Sequence, residues 1–313
     1  MAPVKNLREA YGQALVALGR QNRNVVALEA DLGKSTRSIL FQDEFPERYF
    51  QMGIAEQNMA STAAGLALAG KIPFIHSFAV FASGRAFDQL RNSVCIPGIS
   101  VRICGSSCGL SDFGDGKTHQ ALEDVAIMRV LPGMTVLSPA DAIEVGKMMQ
   151  CVLDWKGPVY LRINRNDLPL VTPADEPYHI GKIWRLRDGE DAAVFASGVM
   201  VSKALEAAEA LGKEGVSARV LNVSTIKPLD ADAIIAQASG VRAIVVAEEA
   251  SVIGGLGSAV VEALRGVRHA PVEFVGVRDS FGASAEDYEI LLGRFGLTAA
   301  AVGEAVKRLL GRT

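Results

Sequence analysis

Three short stretches carry side chains whose types and spacing could do chemistry. Glu29-Ala30-Asp31-Leu32-Gly33-Lys34-Ser35 crowds carboxylates, an ammonium and a hydroxyl together. Gly53-Ile54-Ala55-Glu56-Gln57-Asn58 sets one glutamate between polar and apolar sequence. Gly109 to Gln120 is the most unusual, with Asp112, Asp115, Lys117 and His119 among Gly109, Gly114 and Gly116. Glycines there permit sharp turns and close backbone approach to a ligand, and carboxylates and imidazoles are the groups that take up and deliver protons. Taken singly, each has a plainer reading: Glu56 as a helix-start carboxylate favoured by the macrodipole, Asp31 as a turn or N-cap residue, His119 as a solvated loop residue.

Such residues act together only if the fold brings them to one place. Val25 to Leu28, Pro73 to Ser77, Ser100 to Cys104, Thr135 to Leu137 and Val159 to Ile163 read as strands, with Ala-rich helical patterns between most of them. Apolar strands spaced by helices imply a parallel sheet covered on both faces. Open sheets of that kind bind ligands at the carboxyl ends of their strands, which is where the stretches at 29–35 and 109–120 fall. After Arg165 the sequence turns polar and proline-containing, through Asn166-Asp167-Leu168-Pro169 and Thr172-Pro173-Ala174-Asp175-Glu176-Pro177, as a linker would. The alternation then restarts, with strands at 192–196, 217–223, 241–248 and 272–277 and helices at 203–211, 257–264 and 299–310. The expected fold is α/β in two domains, each a mostly parallel sheet flanked by helices: residues 1–175, a linker over 176–188, and a smaller domain over 189–313.

Composition narrows the function. At about 150 residues per domain, 313 residues suit two domains. The net charge of −3 argues against nucleic acid or an acidic membrane as partner. No stretch of about 18 apolar residues is present, and the N-terminus has no apolar leader segment. Cys95, Cys104, Cys108 and Cys151 show no zinc spacing and no disulfide framework, which fits a reducing, cytoplasmic setting.

In combination, Gly53-Ile54-Ala55-Glu56-Gln57-Asn58-Met59 and Gly114-Asp115-Gly116-Lys117-Thr118-His119-Gln120 resemble the pyrimidine-binding half of transketolases, and similar elements occur in deoxyxylulose phosphate synthase. Ser77-Phe78-Ala79-Val80-Phe81, Arg85-Ala86-Phe87-Asp88-Gln89, Tyr160-Leu161-Arg162-Ile163-Asn164-Arg165, Thr225-Ile226-Lys227-Pro228-Leu229 and Gly254-Gly255-Leu256-Gly257-Ser258 extend the resemblance over nearly the whole chain. The family holds the cofactor diphosphate and its metal on a separate domain, through a Gly-Asp-Gly motif and an asparagine farther on. The triplet Gly114-Asp115-Gly116 has no asparagine in the matching window, 139–143. The chain is therefore similar to the C-terminal subunit of a split transketolase, which would transfer a two-carbon ketol unit between sugars.

That resemblance implies thiamine diphosphate with Mg2+ or Ca2+, the metal and diphosphate ligands lying on a partner subunit of about 270 residues. It implies two copies of each subunit in a heterotetramer. The Ala-rich stretch Met59 to Ala69 would serve either contact between copies or packing within the chain. By motif position, Glu56 matches the glutamate that hydrogen-bonds the aminopyrimidine nitrogen, Phe78 and Phe81 the aromatic pair beside that ring, and Asp31 a further cofactor-binding residue. His119 and Asp115 match loop residues that contact the ketose, His119 as proton carrier. Arg8, Ser35 and Arg165 match the grip on a sugar phosphate, although Arg165 could instead pair with Asp167 or an interdomain carboxylate. Two departures stand out: Gly84 replaces a frequent tyrosine, and Ser107 a usual histidine.

Other readings compete. The β subunit of a 2-oxo acid dehydrogenase shares the two-domain plan and the glutamate. Gly255-Leu256-Gly257 suggests a dinucleotide fingerprint, though Val260 stands at its third glycine and Glu273 sits inside a strand. A non-catalytic paralogue is a third.

Overall fold

In the computed structural model, residues 3–311 are described; residues 1, 2, 312 and 313, the outer ends of the two expected domain ranges, lie outside them. The strands of the first half are β1 (Val4–Asn6), β2 (Val25–Glu29), β3 (Tyr49–Gln51), β4 (Ile72–Phe78), β5 (Arg102–Ser106), β6 (Thr135–Leu137), β7 (Val159–Ile163) and β8 (Asp167–Pro169). Those of the second half are β9 (Trp184–Arg187), β10 (Ala192–Ala196), β11 (Ala218–Asn222), β12 (Thr225–Lys227), β13 (Ala243–Ser251) and β14 (Val272–Val277).

Two mostly parallel sheets result. The larger runs β12-β6-β7-β5-β4-β2-β3 and the smaller β14-β13-β10-β11-β9. Strands β2, β5, β7 and β10 are buried along their whole length, which is why they read as mostly apolar runs, with Glu29, Arg102 and Arg162 as buried charged members. Five short strands, β1, β3, β8, β9 and β12, escape such a reading. β9 lies inside the stretch expected as linker and pairs antiparallel with β11; it is an edge strand with no fully buried residue, Trp184, Leu186 and Arg187 being half-buried. β12 leaves the second half of the chain to pair antiparallel with β6, joining the two halves through one sheet. β1 pairs antiparallel with β8, setting Asn6 opposite Asp167. That pairing brings the start of the first helix beside the end of β7.

The helix Leu7–Gln21 begins where Asn6 accepts from the amides of Arg8 and Glu9. The helix Glu56–Leu68 packs Met59, Ala60, Ala63 and Ala64 into the apolar interior behind β2 and β4. Of the Ala-rich stretch, this face is taken by intrachain packing, while Gly65, Leu68 and Ala69 face outward. Strands β2, β4, β5 and β7 all end at the same edge of the larger sheet, because they are parallel neighbours.

Candidate active site

Glu56 opens the helix Glu56–Leu68 and is 1% exposed. Its position at a helix N-terminus favours negative charge. Ser77 Oγ, at the end of β4, donates to Glu56 Oε1 at 3.2 Å, and Arg85 Nη1 donates to Oε2 at 2.8 Å. Neither partner was apparent from the residue pattern. Arg85 reaches Glu56 from a π-helical turn over Phe81–Arg85, where the Ala86 amide bonds back to Phe81. Turns of this width recur at functional sites and leave no periodic signature in so short a stretch.

Phe78 and Phe81 stack, with centroids 6.2 Å apart and planes 15° from parallel. His119 meets both edge-on, at 6.1 Å from Phe78 and 5.4 Å from Phe81. Its Nδ1 is engaged with Thr118 Oγ1 at 2.9 Å, which leaves Nε2 for a ligand. Glu56, Phe78, Phe81 and His119 thus converge, although they come from three separate parts of the chain.

The loop carrying His119 is braced by the second domain. Glu249 Oε1 accepts from the Leu110 amide at 2.8 Å and from the Tyr288 hydroxyl at 2.7 Å, and Gln120 Nε2 donates to the Ala283 carbonyl at 2.9 Å. Gly109 and Gly116 both adopt positive φ, and side chains there would collide with Glu249 and Ser284 respectively. Gly109 and Gly116 therefore serve loop–domain docking. Burial pushes the Glu249 carboxyl up to about 7 against the opposing pull of Arg162.

Arg8, Ser35 and Arg165 also come together. Arg8 Nη1 donates to the Ser35 carbonyl at 2.8 Å, so the hydroxyl remains available. Burial, then the nearby positive charges of Arg165 and Arg37, lower the Arg8 guanidinium to about 10. An excess of positive charge at a half-buried site suits an anionic group. Arg37, which the motif comparison missed, sits in the left-handed region at φ 64° and pairs with Glu9 at 3.2 Å. Arg165 pairs with Asp112 at 2.6 Å, neither with Asp167 nor with a carboxylate of the other domain.

The remaining expected residues are less engaged. Asp115 is exposed at the start of the turn 116–118, and the buried loop carboxylate is Asp112, 2% exposed. Asp31 is exposed with φ 63°, and its amide donates to Gln51 Oε1 at 3.0 Å, a turn residue; Leu32, not Asp31, precedes the short helix that follows. The buried carboxylate of that stretch is Glu29, which accepts from the Leu32 amide and from Gln51 Nε2 and is raised above the ordinary range by burial. Ser107 is buried at φ 53° with its hydroxyl unpartnered, and Gly84 faces open space. His76 is a core residue: Nδ1 donates to the Leu28 carbonyl, Nε2 accepts from Tyr11, and burial lowers it to about 4.

Gly255-Leu256-Gly257 opens a helix, but Glu248 occupies its amides, accepting from Leu256 at 2.7 Å and Gly257 at 2.8 Å. A dinucleotide phosphate would need those same donors. Among the described residues, no group of three His, Cys, Asp or Glu side chains is placed to hold a metal ion, and no helix is long and apolar enough to cross a membrane.

Comparison with known proteins gives a consistent picture. Residues 4–171 match the family model for the transketolase pyrimidine binding domain, and residues 181–302 that for the transketolase C-terminal domain. The chain is 42% identical over 307 residues to the 6-deoxy-6-sulfo-D-fructose transketolase subunit SqwH of Clostridium sp. (strain MSTE9), covering 98% of this chain and 95% of that protein. It is 40% identical over 306 residues to a putative transketolase C-terminal section of Methanocaldococcus jannaschii, covering 96% of this chain and 95% of that protein. A solved structure described as a split gene transketolase, inactive beta4 tetramer, superposes with a TM-score of 0.89 at 45% identity, covering 99% of both chains.

Proposed function

The chain belongs to the transketolase family, as the pyrimidine-binding and C-terminal subunit of a split enzyme, and from that premise we propose the roles of its residues, its substrate class and its assembly. The observation that carries the reading is the convergence of a buried glutamate with a stacked phenylalanine pair and an edge-on histidine. These residues suit a thiamine ring: a carboxylate to meet a ring nitrogen, and aromatic faces beside it.

When bound, thiamine diphosphate supplies the carbon that takes up the two-carbon ketol unit and the electron sink for carbon–carbon cleavage. Glu56 holds a proton at its carboxylate against the ring nitrogen. Phe78 and Phe81 exclude water, and stacking contributes about 0.5–1.5 kcal/mol beyond burial. His119 Nε2 moves a proton to and from the substrate oxygen, the ring being oriented by Thr118. Arg8, Arg165 and the Ser35 hydroxyl bind the anionic end of the sugar, which would be a phosphate or, as the name of the Clostridium relative suggests for that protein, a sulfonate. Asp115 would contact the substrate from the exposed loop, and Asp31 would contact the cofactor.

Metal, Mg2+ or Ca2+, and the diphosphate are assigned to a partner subunit of about 270 residues. Two copies of each chain form the active heterotetramer, since closed two-fold assembly is the usual outcome. The four free cysteines suit a cytoplasmic enzyme.

Reconstitution tests this. With the diphosphate-binding subunit, the chain should transfer a ketol unit to an aldose; alone, it should neither turn over nor bind thiamine diphosphate tightly. Acylation of a lipoyl domain in place of ketol transfer would identify a 2-oxo acid dehydrogenase subunit instead.

A further inference from the structure

Both carboxylate oxygens of Glu56 are engaged within this chain, Oε1 by Ser77 and Oε2 by Arg85. The same guanidinium lies over the face of Phe81, 4.5 Å from its centroid. Phe81 in turn stacks on Phe78. A planar group carrying N–H donors, laid on an aromatic face and hydrogen-bonded to a buried carboxylate, makes the set of contacts that an aminopyrimidine would make. Gly84 provides no neighbouring side chain to hold Arg85 down, and the Arg85 side chain is 43% exposed while Glu56 is 1% exposed. The guanidinium is thus placed over the site by two contacts and is not wedged there by packing.

Resting on the transketolase reading above, we propose that Arg85 is an internal occupant of the pyrimidine site. It keeps the Glu56 carboxylate oriented and charge-paired before the cofactor arrives, and it must leave both Oε2 and the Phe81 face as the ring enters. Occupancy by Arg85 reduces the fraction of binding-competent sites, so the apparent affinity for the cofactor is lowered by that fraction.

The test is calorimetric titration of the complex reconstituted with the diphosphate-binding subunit, native and with Arg85→Met. The methionine variant should bind thiamine diphosphate about five-fold more tightly, with faster uptake in stopped-flow fluorescence, while its affinity for inorganic diphosphate stays unchanged. Arg85→Lys, which keeps the charge but not the planar fork, should fall between the two. Unchanged or weaker thiamine diphosphate binding by Arg85→Met, with the native complex binding normally, overturns the proposal and makes Arg85 a bystander or a cofactor contact. Complexes that bind inorganic diphosphate but no thiamine diphosphate in either form overturn the functional reading itself, and the proposal with it.

Discussion

Arg165 Nη1 lies 2.6 Å from Asp112 Oδ2, and the two residues are 53 positions apart. The pair ties the end of β7 to the loop that carries His119, so the arginine cluster and that loop share a direct contact. Arg165→Met should raise KM for an anionic ketose about 10–100-fold, with kcat changed much less, since it removes binding common to ground and transition states. A neutral ketose should show no such change. Leaving Asp112 buried without its partner should also cost about 1–3 kcal/mol in urea denaturation.

Glu56→Gln keeps the size and the position at the helix start but cannot hold the proton in the same way. Turnover of the reconstituted enzyme should fall by about 10²–10⁴-fold, with the circular dichroism spectrum unchanged. Near-native turnover would remove Glu56 from the mechanism.

His119→Asn should lower kcat/KM about 10²-fold, and single-turnover kinetics should place the loss in the chemical steps. Cofactor affinity should change little, because the phenylalanine stack remains.

Glu249 makes stability depend on pH. Burial raises its carboxyl from 4.5 to about 7 in the folded chain, so the folded state keeps this proton to higher pH than the unfolded state. The associated stability is fully present below the unfolded value and is lost as pH rises through about 7. It amounts to roughly 3–4 kcal/mol at 1.36 kcal/mol per pKa unit. Glu249→Gln should therefore gain in melting temperature relative to the native chain between pH 5 and pH 8; a constant difference would show that Glu249 does not titrate there.

Arg162 and Asp124 form a buried bidentate pair, Nε to Oδ2 at 2.7 Å and Nη2 to Oδ1 at 3.0 Å, with the Tyr160 hydroxyl donating to the same carboxylate. Asp124→Ala strands the guanidinium and should cost about 3–5 kcal/mol. The midpoint of urea denaturation reads this directly.

The sequence by itself determined the longer buried strands and the helices between them. Strands β2, β5, β7 and β10 were legible because a strand buried on both faces is mostly apolar. Glu56, Phe78, Phe81 and His119 were singled out by their match to a family motif, and their proximity is a finding of the fold. Tertiary structure alone decided which partners these residues acquire. Asp112 and Asp115 share one loop, braced by Glu249 and the Ala283 carbonyl, in which Asp112 turns inward to Arg165 and Asp115 is exposed. Arg85 meets Glu56 through a widened helical turn, and β9 and β12 find their places by pairing with strands distant in the sequence. Periodicity reports how much of a segment is buried, whereas the partner of a charge or of a short strand is set by packing between segments far apart in the chain.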